Sequence, residues 1–500
     1  MTVGRTRPGT GDGMPDVLDT GAAGTLVIRG GASRVGGYAL GVALSIGSAA
    51  VLFRHLGVSD TGRYVTVLTL VALAAALTDC GLAAIGTREA ANRPGRAQAE
   101  LVEELLGLRL LLSLGGAACA TVFAAIAGYG PSLVFGTALA GIGVVIVAGQ
   151  GVLAIPLTTS LRFGLLTWVD LVRQTASVVL ILALVAAGAA GVLPFLAVPV
   201  VTSSLAFVLT AWLVRSDVSP RPSWSVRQWN ALLRGFLPYA LAAVVTALYF
   251  RVALLITSLV ANEHETGLFS AAYRVVDVLI VVPVLAVSSA LPILARAARH
   301  DLERLAYAVG RIFDTCVVLG GGLAVSLVLG APLAIRIVGG QEFDGAVLAL
   351  RIGAIGLACA FAGAVLGYTL LAMHLYRPLL VICTLALGLA SVLTLILASR
   401  YGAEGAATAG AAAELLVFAG GYGVLALGHR AVAPSLAALI RVLPAVGVAL
   451  LALLIAPTVG DVAATTAGVA VYTGIVLAFG LLPAELRESL RRSGVDPSNS

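Results

Sequence analysis

Hydrophobic residues in this chain fall into long, nearly unbroken blocks, and the polar residues gather in short clusters between them. Fourteen blocks can be drawn, over residues 35–53, 64–86, 105–127, 132–155, 164–187, 191–214, 236–260, 267–294, 311–331, 346–372, 378–398, 404–427, 439–456 and 462–482. Each is near the ~20 residues that carry a helix across about 30 Å of hydrocarbon. In lipid, every backbone group has to be satisfied inside a helix or a closed barrel. The blocks are continuous runs of Leu, Ala and Val rather than alternating strands, so helices are expected. The division between blocks 13 and 14 rests on Pro457 to Asp461 alone. The pattern predicts an all-α polytopic membrane protein with about fourteen transmembrane helices.

The polar segments divide these blocks into groups. Residues 1–34 read as a tail rich in Gly, Asp, Thr and Arg, without the apolar core of a signal peptide before Arg34. Residues 24–34 are expected to form a short interfacial helix. The longest polar link, 215–235, separates six blocks (35–214) from six more (236–427). Blocks 13 and 14 (428–485) follow as an appended pair, and 486–500 as a second tail. In the link, Trp224 and Trp229 neighbour Arg227 and Arg234. That grouping fits either an amphipathic segment lying on the membrane or a loop with aromatic anchors.

Composition agrees with the pattern. Hydrophobic residues make up 59% of the 500, charged residues 11%, and the mean hydropathy is +1.03. A soluble domain carries roughly 25% charged residues on average, so lipid is the main solvent here. The net charge of +6 comes from arginine alone, since the chain has no lysine. In a soluble protein such a charge would point to nucleic acid, but here the arginines lie between apolar blocks and set topology. Alternate loops and both tails hold most of them, including Arg88, Arg93, Arg96, Arg215, Arg221, Arg296, Arg299, Arg304, Arg487, Arg491 and Arg492. The opposite loops hold four, Arg54, Arg63, Arg336 and Arg400, and lean acidic through Asp60, Glu263, Glu265, Glu342, Asp344, Glu404 and Asp461. Under the positive-inside rule both termini are cytoplasmic.

The two groups of six resemble one another. Ser59-Asp60-Thr61-Gly62-Arg63-Tyr64 follows block 1, and His264-Glu265-Thr266-Gly267-Leu268-Phe269 follows block 7. Six crossings per group give both copies the same orientation. Parallel repeats of this kind enclose a midplane site in several transporter folds.

A few charges lie inside blocks. Arg251 is mid-block 7, Arg274 and Asp277 are three apart in block 8, Asp170 and Arg173 three apart in block 5, and Glu414 is mid-block 12. A charge facing lipid at mid-depth costs ~2.5–3.5 kcal/mol or more, so these groups are expected to face the protein interior. The two i,i+3 pairs are also consistent with closed ion pairs, and Arg251 with a partner across the bundle such as Glu414 or Asp277. Arg109 and Arg351, near block ends, are expected to snorkel. Asp79 and Asp314 read as solvated or capping groups. Pro283 and Pro292 can bend block 8. Gly320-Gly321-Gly322 permits either close packing or a hinge.

No enzyme constellation accompanies them. There is no G-x-S-x-G motif, no His/Cys spacing suited to a metal, and no phosphate loop, which would require lysine. The five cysteines, Cys80, Cys119, Cys316, Cys359 and Cys383, read as small buried thiols. No cofactor or metal is expected.

Several stretches then resemble a known family. Arg54-His55-Leu56-Gly57-Val58-Ser59-Asp60-Thr61-Gly62-Arg63-Tyr64 is similar to the first outer loop of the polysaccharide transporters, the O-antigen-type lipid-linked oligosaccharide flippases. Asp79-Cys80-Gly81-Leu82, Thr87-Arg88-Glu89-Ala90 and Thr266-Gly267-Leu268-Phe269-Ser270-Ala271-Ala272-Tyr273-Arg274 extend the likeness. Arg251-Val252-Ala253 departs from it, because the family often places an acid soon after this arginine. The resemblance implies a non-enzymatic flippase that moves an undecaprenyl-diphosphate-linked oligosaccharide from the inner to the outer leaflet by alternating access. It also implies contact with membrane lipids and polysaccharide-assembly proteins. Arg251, Arg274 and Arg173 would then be substrate contacts, and Asp277, Glu414 and Asp170 ion-coupling or pairing acids. The same superfamily leaves drug/cation antiport and lipid II flipping as alternatives. A membrane polymerase or ligase is an enzyme alternative, but it calls for a larger outer loop than that near 332–345.

Overall fold

The computed structural model describes residues 21–79, 81–93, 95–160, 162–215, 221–223, 229, 244–245, 247–249 and 251–479. Residues 1–20, Cys80, Trp224, Arg227, Arg234, the first part of block 7 and the tail with Arg487, Arg491 and Arg492 lie outside the described residues. Fifteen helices are described, with no strand among those residues. They are α1 (Gly21–Asp79), α2 (Leu82–Ala91), α3 (Arg96–Ile126), α4 (Pro131–Leu153), α5 (Ile155–Thr159), α6 (Phe163–Ala186), α7 (Leu193–Val214), α8 (Arg251–Val260), α9 (Glu263–His300), α10 (Leu302–Val338), α11 (Val347–Ala372), α12 (Tyr376–Gly428), α13 (Ala437–Leu450), α14 (Ala456–Val459) and α15 (Asp461–Ala478).

Eleven stretches among the described residues are long and apolar enough to cross a membrane. Two of them, in α1 and α12, each join two predicted blocks, and α8 is the described end of block 7. The chain is therefore an all-α multi-pass membrane protein with about fourteen crossings, as the blocks predict. α1 is already helical at Gly21, the first described residue, so the helix expected before block 1 is continuous with it.

Single glycines separate the joined crossings. Gly57 has φ 72° and ψ −180°, and Gly402 has φ 51° and ψ −127°. Residues with a Cβ are largely excluded from both conformations. At Gly402 the chain folds back, because Gly405 lies directly against Leu397. A continuous helix would hold residues eight apart roughly 12 Å from each other. Blocks 13 and 14 separate as expected. α13 tightens into a 3₁₀ turn, Leu451–Leu454, and after α14 the chain turns at Gly460, whose φ is 87°.

The first group of crossings packs α3 on α4, α4 on α7, and α1 and α7 on α6. In the second group α11 packs against α9, α10 and α12. α1 crosses between the groups, lying on α9 and α10, while α13 and α15 dock on α10. The glycine triplet explains that docking. A Cβ at Gly320 would press on Phe361 of α11 at 2.9 Å, at Gly321 on Val442 of α13 at 2.8 Å, and at Gly322 on Tyr472 of α15 at 2.9 Å. Tyr472 Oη donates to the Val318 carbonyl at 2.6 Å. Of the two sequence readings of the triplet, close packing describes the structure.

Three polar residues sit differently from the sequence expectation. Arg109 is buried and pairs with Asp79 at 2.8 Å rather than snorkelling. Trp229 is not a lipid anchor: it is buried, and its indole N–H donates to the Glu104 carbonyl of α3 at 3.2 Å. Nearby, Ser223 N–H donates to Glu103 O at 2.9 Å, and Gly107 leaves room for the Ser223 carbonyl. The described part of the 215–235 link thus rests on α3.

Arg351 has a local cause. Pro332, inside α10, has no N–H for the carbonyl four residues earlier, which is that of Val328. Arg351 Nε donates to this carbonyl at 3.1 Å. An unsatisfied buried acceptor costs ~1–3 kcal/mol. Arg351→Leu is accordingly expected to lower the thermal midpoint of the detergent-solubilised protein. Pro332→Ala, by restoring the helix bond, should recover most of the loss in the double variant. An Arg351→Leu loss of the same size in the parent and in the Pro332→Ala background would disprove the link.

Candidate functional site

Mid-depth polar groups collect where α8, α9 and α12 meet. Within the apolar stretches of these helices a charge facing lipid is costly, so the few charged side chains turn towards polar partners inside the protein. Tyr249, itself helical and two residues ahead of the range given for α8, donates from Oη to a carboxylate oxygen of Glu414 in α12 at 2.7 Å. Both residues line a cavity of about 80 Å³, with Phe269 and Tyr273 of α9, Gly353 and Gly356 of α11 and Ala407 of α12 also on its wall. Its walls are otherwise small and apolar, a consequence of the Gly and Ala positions on α11 and α12. A few waters fit such a volume.

Tyr273 is the centre of the group. Arg251, Asp277 and Glu414 all lie within its electrostatic reach. Three residues singled out from sequence on three separate blocks therefore share one neighbourhood. Arg251 nevertheless forms no ion pair with Glu414 or Asp277; Glu414 has Tyr249 as its partner instead.

Arg274 follows Tyr273 in the chain and leaves α9 on another side. It crosses to α1, where its guanidinium donates to Ser45 Oγ, and it lies near Tyr64. Its Nε is buried without a hydrogen-bond partner among the described residues. The i,i+3 ion pair with Asp277 that the spacing allowed is not formed; Arg274 bonds Ser45 instead. Arg274 therefore links the two groups of crossings through a neutral hydroxyl.

Arg173 and Asp170 do form their pair, at 3.4 Å, with the two side chains 40% and 63% exposed. They sit on α6, which packs on α1, α5 and α7 and not on α9 or α12. The structure thus gathers Arg251, Asp277 and Glu414, sets Arg274 beside them at the α1 interface, and keeps Arg173 with Asp170 elsewhere. Sequence reasoning missed Ser45, Tyr249 and Tyr273. The two tyrosines, polar aromatics in apolar runs beside Arg251 and Arg274, were an available signal.

The fold and the sequence can be placed among known proteins. Residues 51–348 match the family of polysaccharide biosynthesis proteins. The fold is that of a lipid II flippase, MurJ, in an inward closed conformation. The TM-score is 0.74 over 89% of this chain and 97% of that one, at 11% identity. An inward-facing multidrug resistance MATE transporter of the MOP superfamily matches with TM-score 0.61 over 77% of this chain and 94% of that one, at 15% identity. A MOP superfamily transporter from Pyrococcus furiosus, described as having a binding pocket of reverse polarity, matches with TM-score 0.52 over 80% of this chain and 95% of that one, at 15% identity. No curated protein matches the chain in sequence. With more than half of its length matched, the chain is a member of the polysaccharide biosynthesis protein family.

Proposed function

We propose that this protein flips a polyprenyl-diphosphate-linked oligosaccharide from the inner to the outer leaflet of the cytoplasmic membrane, for surface polysaccharide assembly. The observation that carries the reading is the state of Arg251 and Arg274. Both are mid-depth guanidinium groups outside any ion pair among the described residues, and Arg274 lies at the interface of the two groups of crossings. A diphosphate and a hydrated glycan cannot cross hydrocarbon unaided. A guanidinium offers phosphate paired, charge-assisted hydrogen bonds. Ser45, a neutral partner, holds Arg274 more weakly than an anion would.

The two groups of crossings then act as parallel repeats that rock about this region, exposing it to one side and then the other. Glu414, hydrogen-bonded to Tyr249 on the cavity wall, and Asp277 are the acids we assign to ion coupling. Arg173 and Asp170 neutralise each other in this conformation, so Arg173 contacts substrate only after that pair opens. The termini are cytoplasmic in this scheme. The family match and the flippase fold both support it.

Reconstitution tests the proposal. Liposomes holding the purified protein and a fluorescent polyprenyl-diphosphate oligosaccharide should translocate the lipid at least about tenfold faster than protein-free liposomes, a barrier change of about 1.4 kcal/mol. Translocation of a lipid II analogue or a cationic dye in its place would reassign the substrate to one of the two alternatives.

A further inference from the structure

The two Thr-Gly motifs that mark the repeat touch each other. Gly62 sits on the Glu263 carbonyl and would bring a Cβ within 2.9 Å of Gly267 N. Gly267 in turn sits on the Val58 carbonyl and would bring a Cβ within 3.0 Å of Val58 Cγ1. In each motif the contacted carbonyl belongs to the residue four positions before the glycine. Val58 and Glu263 are therefore equivalent, as Gly62 and Gly267 are, and the contact is reciprocal about a pseudo-two-fold axis. Only glycine allows the backbones to approach so closely. A self-complementary contact of this kind forms or breaks on both sides together.

Other bonds between the two groups of crossings lie at the same end. Arg63 pairs with Glu263 at 2.7 Å while also holding Asp60 of its own group at 3.0 Å. Arg54 donates to the Arg336 and Ile337 carbonyls at 2.7 and 2.8 Å, capping the end of α10 with a positive charge. Phe53 stacks on Phe343 with centroids 6.2 Å apart. Tyr64, one residue beyond Arg63, is only 9% exposed.

We infer that the reciprocal Gly62–Gly267 contact is the outer gate of the transporter, closed in this structure, with Arg63–Glu263 as its bolt. The inference rests on the transport reading above. The gate parts as one unit, because neither glycine can leave its carbonyl while the other stays seated. The region of Arg251 and Arg274 is then shut off from the outside as long as the contact holds.

Cysteine chemistry in the full-length protein, in membranes and without its five native cysteines, tests the gate. Tyr64→Cys should react slowly with a membrane-impermeant maleimide added outside. Adding either Gly62→Ala or Gly267→Ala should raise that rate about tenfold or more, equivalent to about 1.4 kcal/mol in the gate equilibrium. Fast labelling with both glycines present, or no response to either substitution at normal membrane levels, overturns the inference. A separate Arg63→Cys/Glu263→Cys variant covers the case of misfolding. Bridging it with a short bis-methanethiosulfonate, which forms a disulfide with each cysteine and releases a sulfinate from each end, should stop glycan export, and reduction should restore it; export that continues through the bridged protein also overturns the gate. Labelling needs no substrate. A gate that labels as expected in a protein that fails the liposome assay refutes the transport reading and leaves the closure in place.

Discussion

Replacing Arg274 with Ala should reduce surface-glycan export by about ten- to a hundredfold at unchanged protein level, since a hydrogen bond to a charged group contributes ~1.5–3 kcal/mol. The same range is expected for Arg251→Ala. The physical basis is that both guanidinium groups reach mid-depth without an ionic partner among the described residues. Neither guanidinium is held in a direct ion pair there, so each can bond an anionic substrate. Arg274→Lys should recover only part of the rate, because an ammonium group carries the charge but not the planar fork. Ser45→Ala should be mild by comparison, for it removes a neutral acceptor. Complementation of surface glycan in a strain lacking the protein reads all four variants. Wild-type export by both alanine variants would end the assignment of a cationic site between the two groups of crossings.

The second large effect concerns folding. Gly402→Ala is expected to destabilise the protein by ~3 kcal/mol or more. At φ 51° and ψ −127° an alanine is strained, and such backbone strain costs of order 1–3 kcal/mol. Its Cβ would also overlap the Glu265 carboxylate, which accepts the Ala403 N–H at 2.9 Å. Displacing that carboxylate loses a charge-assisted bond of ~1.5–3 kcal/mol at the start of the second limb of α12. Glu265→Gln keeps an acceptor and removes only the charge, so it should cost clearly less. Thermal unfolding in detergent compares them. A Gly402→Ala variant as stable as the parent would show that the α12 turn is not held as described.

Both effects trace back to features that the chain displays unequally. The apolar blocks and the arginines between them need no tertiary information, because solvent alone sorts them. Blocks enter lipid, and most arginines are left in the polar segments between them. Glycines are visible in the sequence, yet their role depended on their neighbours. Gly57 and Gly402 turn the chain, whereas Gly320, Gly321 and Gly322 make room for Phe361, Val442 and Tyr472. Nothing local separates these cases, since a glycine is permissive of both.

Polar partners were the least legible. Arg351 and Val328 lie 23 positions apart, Trp229 and Glu104 lie 125 apart, and Arg274 and Ser45 lie 229 apart. A helical period reaches only the next turn, so it suggested Arg274 with Asp277 and could not offer Ser45. It succeeded at Arg173 and Asp170, where both partners are on one exposed helix face and no nearer group competes.

By itself the sequence determined that this is a many-crossing helical membrane protein with a doubled Thr-Gly motif and a handful of mid-depth charges, because hydrophobic block length and repetition are properties of the chain. Only the tertiary structure decided that the two Thr-Gly motifs lock together, that Arg251, Asp277 and Glu414 share the surroundings of Tyr273, and that Arg274 reaches α1 instead of its own neighbour. Those outcomes depend on which helix faces meet, and the packing of small residues on α9, α11 and α12 sets that geometry.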